Sequence, residues 1–164
     1  MTKVSKLYDR DFVLWTQEQA AALRAAKDSN LPLDWENLAE EIESLGKSDR
    51  RELRSQITRI LRHLLKLEIP PAIDPRSGWR AAIGEARDEI EGLLEDSPSL
   101  RREVDGMIKK QILTAAKLAA ADLGQHGEPT AAVRARLERG GFAAEQVLGD
   151  WLPEPPAERR GQTE

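Results

Sequence analysis

The chain has 164 residues, a net charge of −4, 33% charged residues and no cysteine. The missing thiols exclude a disulfide scaffold, thiolate metal sites, iron–sulfur clusters and a cysteine nucleophile, and two histidines are too few for a multi-histidine metal cage. Leucine and alanine number 21 each, whereas Val, Ile, Phe and Tyr together make 17, a bias toward helix over sheet.

Apolar residues at helical spacing, punctuated by prolines and caps, predict the elements. A first helix runs from about Asp9 to Asp28, with Phe12, Trp15, Gln19, Leu23 and Ala26 on one face. A second starts at the N-cap Asp34 after Pro32, with the stripe Trp35, Leu38, Ile42 and Leu45. Gly46 can end it, and Ser48 or Asp49 can start a third helix carrying Leu53, Ile57, Ile60, Leu61, Leu64 and Leu65. One continuous helix kinked at Gly46 is the alternative. Three prolines make the stretch from Ile69 to Arg76 a loop or strap.

Ser77 is the expected cap of a fourth helix with Trp79, Ile83, Ala86, Ile90, Leu93 and Leu94 on one side. Ser97 followed by Pro98 reads as a stop and a start. The fifth helix carries Leu100, Val104, Met107, Ile108, Gln111, Ala115 and Leu118 and ends near Gly124. A short sixth helix from Pro129 to about Arg139 ends at two glycines, and a last turn holds Val147, Leu148, Trp151 and Leu152. His126 reads as exposed in a glycine-rich turn. The expectation is an all-α bundle of five main helices with one or two short C-terminal ones. Residues 1–152 form the single domain, and 153–164 form a disordered proline-rich tail. With no signal-peptide pattern and no long apolar run, a cytoplasmic protein without a membrane span is expected.

The segments YDRDFVLW, LDWENLAEEIESLGKSDRRELRSQITRILRHLLKLE, SGWR and EDSPSLR, spread over roughly residues 8–152, resemble one bacterial family, an all-helical group catalogued as domain of unknown function number twenty-nine. It implies a small helical protein and brings no activity, cofactor, partner or catalytic residue.

Charge is segregated at the centre. Residues 34–45 hold five acids and no base, whereas residues 47–66 hold seven bases and two acids. At 100° per residue, Arg51, Arg59, Arg62 and Lys66 lie opposite the apolar stripe of the third helix. They read as a solvated face or as a surface for an anion, nucleic acid or acidic partner. Glu41 and His63 sit at the edges of their stripes and could meet if the second and third helices were antiparallel neighbours, giving a metal or acid–base site. The two Glu-x-x-His motifs of a di-metal bundle are absent, so no metal or cofactor is expected. No phosphate loop, nucleophile elbow or HExxH motif occurs. The tryptophans read as core anchors, with Trp79 beside Arg76 and Arg80 the one loose candidate for base stacking. Ala81, Gly84, Asp88 and Gly92 form a small-residue face that could admit a partner or a second subunit. The leading expectation is a non-enzymatic module that binds a protein or itself, with nucleic-acid binding second.

Overall fold

The computed structural model describes residues 3–69, 76–124 and 130–154. The strap at 70–75, the turn with His126 and Pro129, and the tail from 155 onward lie outside them, as does the side chain of Ser77. The described residues are all-α, with no strand. The helices are α1 (Lys3–Tyr8), α2 (Phe12–Ala25), α3 (Trp35–Glu68), α4 (Arg76–Asp96), α5 (Val104–Asp122), α6 (Ala131–Glu138) and α7 (Ala144–Leu148). A 3₁₀ helix, Pro98–Glu103, leads into α5.

The expected second and third helices are one. α3 runs unbroken for 34 residues, so the continuous alternative holds. Gly46 is a point of close approach to α2 rather than a terminator. A Cβ there would meet the Thr16 hydroxyl at 2.4 Å, and that hydroxyl is already donating to the Val13 carbonyl at 2.7 Å. The first predicted helix starts three residues late. Asp11 caps α2 by accepting from Leu14 N (2.8 Å), and its other oxygen accepts from Ser99 N at 2.7 Å. This buried carboxylate therefore ties the start of α2 to the α4–α5 junction. Ser97 does not cap the following helix, because its hydroxyl accepts from Val13 N at 3.0 Å instead.

Two packing units share α3. Its first half pairs antiparallel with α2, as the contacts of Gln17 with Arg50 and of Arg24 with Glu36 and Glu43 require. Its second half forms a three-helix core with antiparallel α4 and parallel α5. Leu53, Ile57, Ile60, Leu61, Leu64 and Leu65 are fully buried there, as the apolar stripe predicts. α4 contributes Trp79, Ile83, Ala86, Ile90 and Leu94.

α5 departs from the expected stripe. It turns Val104, Ile108, Ala115, Ala116, Ala119 and Ala120 inward and leaves Leu113 and Leu118 exposed. Four alanines fill little volume, so α5 can lie close against its neighbours, whereas leucines at those positions would hold it away. Leu38 and Leu45, expected in the core, are also exposed, because α4 ends before it reaches them. At the far end, Arg136 of α6 pairs with Glu68, donates to the Gly140 carbonyl (2.6 Å) and lies over Phe142, pinning α6 to the end of α3. Arg87 of α4 holds the C-terminal segment by donating to the carbonyls of Gln146, Val147 and Trp151. Pro153 is buried, so the packed structure extends one residue past the expected boundary.

Candidate binding groove between α3 and α5

The continuity of α3 separates Glu41 from His63. Twenty-two residues along one helix span about 33 Å, so the expected polar cluster does not form. Glu41 is exposed, whereas His63 is half-buried on the second half of α3. Burial, reinforced by the charges of Lys66 and Arg62, pushes the His63 imidazole down to about 4, and its Nδ1 is enclosed without a partner. Among the described residues no three His, Asp or Glu side chains converge as metal ligands would.

The predicted basic face is divided by its neighbours. Lys66 is only 4% exposed, a correction to its placement on a solvated face. α4 and α5 converge on either side of it, so its ammonium lies 4.5 Å from the Trp79 ring centre and donates to Asp122 at 2.7 Å. Trp79 is thereby buried and offers no ring face for a base. Arg62 grips the same carboxylate through two nitrogens. These bonds, Arg62 first, pull the Asp122 carboxyl down to about 2. Arg59 pairs with Glu85 of α4 at 2.8 Å. Three of the four predicted cations are thus paired inside the chain, Arg62 and Lys66 on one shared carboxylate.

Arg51 is different. It projects into an open groove between α3 and α5, together with Arg54 and Lys47 of α3 and Lys110 of α5. This stretch holds about 620 Å³ and is floored by Gly106 and Met107. It continues past Ser55, Thr58, Gln111 and Thr114 toward Arg62 and Leu118, where the adjoining stretch holds about 560 Å³. The single carboxylate lining it, Glu103, is engaged by Arg50 at 3.0 Å. Lys47 pairs with Glu43 one turn earlier. Arg51, Arg54 and Lys110 have no ion-pair partner among the described residues. Arg54 and Lys110 escaped the sequence reading. Arg54 lies toward the α5 side of α3, and Lys110 joins the site only through packing that helical projection cannot supply.

The small-residue face on α4 is open. Ala81, Gly84, Asp88 and Gly92 are all exposed, and a Cβ at Gly84 or Gly92 meets no atom within 4 Å. No helix among the described residues packs closely there. Gly84→Ala and Gly92→Ala should therefore each stabilise the protein by about 0.5–1 kcal/mol, read as a rise in urea midpoint, because alanine has the higher helix propensity and a less flexible unfolded chain.

The described residues define a small all-α helical bundle with an open, cation-lined groove between α3 and α5. The family model described as Domain of unknown function DUF29 matches residues 7–148, and the chain belongs to that family. No curated protein and no solved structure matches it. No helix among the described residues is long and apolar enough to cross a membrane.

Proposed function

We propose that the chain is a non-enzymatic interaction module that holds an acidic segment of a protein partner in the α3–α5 groove. The observation that carries this reading is the contrast among its cations. Arg59, Arg62 and Lys66 are paired with Glu85 and Asp122, the last two sharing one carboxylate, whereas Arg51, Arg54 and Lys110 converge with no ion-pair partner among the described residues. Unpaired cations beside an apolar floor favour a ligand with carboxylates and aliphatic groups. Met107 and the stems of the arginines supply the apolar contact, and the charges supply steering and register. Nucleic acid is the weaker fit. No Phe, Tyr or Trp side chain lines the groove and its one imidazole, His63, is half-buried, so unpaired bases find a poor stacking platform, and the free cations are few. The cytoplasmic location expected from the sequence belongs to the same proposal.

The test is fluorescence anisotropy with two labelled probes, a 16-residue Glu/Leu peptide and a 16-nucleotide single-stranded DNA, on the full chain. The peptide should bind, weaken as salt rises, and lose at least tenfold in affinity in the Arg51→Gln/Arg54→Gln/Lys110→Gln variant. That variant should unfold within about 0.5 kcal/mol per substitution of wild type, since the altered charges are exposed and unpaired. Tighter binding of the DNA, lost in the same variant with a shallower salt dependence, would replace this reading with nucleic-acid recognition.

A further inference from the structure

One line of residues on α3, spaced alternately about three and four apart, runs the length of the helix. It passes through Leu38, Ile42, Leu45, Asp49, Leu53, Gln56, Ile60, His63 and Leu67. α4 covers its lower part, where Leu53, Ile60 and Leu67 are at most 1% exposed. That cover stops at Asp96, the last residue of α4, whose charge joins burial in raising the Asp49 carboxyl. Above Asp49 the line is bare. Leu38 is 41% and Leu45 49% exposed, with Ile42 half-buried between them.

α2 supplies a second wall. Its Gln17 and Arg24 face Arg50, Glu36 and Glu43 on the α5 side of the hairpin. The turn of the helix therefore carries Phe12 and Leu23, both half-buried, to the other side, next to the Leu38 line. Phe12 is held there by its rings' contacts with Tyr8 and Trp15. Leu38, Ile42 and Leu45, flanked by Phe12 and Leu23, leave an apolar groove on the line of α3 that α4 covers below Asp49.

We propose that this groove takes one amphipathic helix of a protein partner, with basic residues beside its apolar stripe. The argument for a helix is that α4 already occupies the same line of α3 one step further along, in the packing geometry a second helix would repeat. The argument for basic residues is charge. Glu41 beside the stripe, and Asp49 and Asp96 at its foot, have no ion-pair partner among the described residues. The carboxyl end of α4 adds the negative end of a helix dipole. A second copy of this arm is the poorer occupant, because antiparallel stripes centred on Ile42 bring Glu41 toward Glu41. This surface lies apart from the α3–α5 groove and is opposite to it in charge.

The probe is a labelled 18-residue helical peptide with leucines at three- and four-residue spacing and lysines elsewhere, set against its Leu/Glu counterpart. Binding of the glutamate peptide should be untouched by Leu38→Ser/Leu45→Ser and lost in Arg51→Gln/Arg54→Gln/Lys110→Gln, whereas the full chain should bind the lysine peptide through this groove. Leu38→Ser/Leu45→Ser should weaken binding at least tenfold without lowering the melting temperature, since both leucines are exposed in the free protein. Glu41→Gln/Asp96→Asn should weaken it several-fold. Arg51→Gln/Arg54→Gln/Lys110→Gln should leave it unchanged, which separates this inference from the proposed function. Equal binding by the serine variant overturns the docking site, and equal binding by the Glu41/Asp96 variant overturns the basic partner. Light scattering that finds a wild-type dimer and a monomeric serine variant assigns the groove to a second copy and overturns the proposal.

Discussion

Trp79→Ala should destabilise the protein by about 3–5 kcal/mol, measured by urea unfolding. The indole belongs to the buried core of α3, α4 and α5, and the Lys66 ammonium lies over its ring. Truncation opens a large cavity and also removes the favourable π face from a charge that is itself buried. Trp79→Phe keeps a ring in place and should recover more than half of the loss. A cost below about 1 kcal/mol for the alanine would mean that the ring is not part of the core.

Asp122→Ala should cost about 3 kcal/mol, because it strips the counter-charge from a buried lysine and leaves it unpaired. Asp122 accepts from both Arg62 and Lys66, and burial already draws the Lys66 ammonium down despite that carboxylate. Lys66→Met in the Asp122→Ala background should regain part of the stability, since the stranded charge is then gone. The pH dependence follows from the lowered carboxyl. Its folded value of about 2 lies below the ordinary 3.8, so the unfolded chain takes up the proton first as pH falls. The stabilisation is complete above 3.8 and is lost as pH falls through 2. In Asp122→Ala that part of the acid unfolding profile should flatten. A variant as stable as wild type with an unchanged acid limb would contradict the assigned pairing.

Much of the fold was legible in the sequence because apolar spacing and proline placement report local geometry directly. The stripe from Leu53 to Leu65, the α4 stripe and the helix boundaries near Ser97, Gly124 and Gly140 all follow from it. Gly46 misled because glycine ends helices and also permits close packing, and only the position of Thr16 distinguishes the two uses. That one ambiguity displaced the site. Splitting α3 placed Glu41 near His63, whereas continuity sets them far apart. Lys66 misled for a different reason. Helical projection gives one side of a helix to the core and the other to water, but two helices converge around the end of α3 and enclose both sides. Leu38 and Leu45 carry a core pattern that no described element covers, so periodicity named an exposed surface interior. The groove cations needed α5 in place, since Lys110 is distant from Arg51 in sequence.

In the proposed function an acidic partner segment lies along α3 and α5 over the unpaired cations. Amide chemical-shift mapping of the isotope-labelled full chain during titration with the Glu/Leu peptide tests it most directly. Saturable shifts are expected at residues 47–58 of α3 and 106–114 of α5, absent when Arg51, Arg54 and Lys110 are glutamine. Shifts confined to residues 12–45, or spread evenly over every exposed lysine and arginine and retained in that variant, would contradict it.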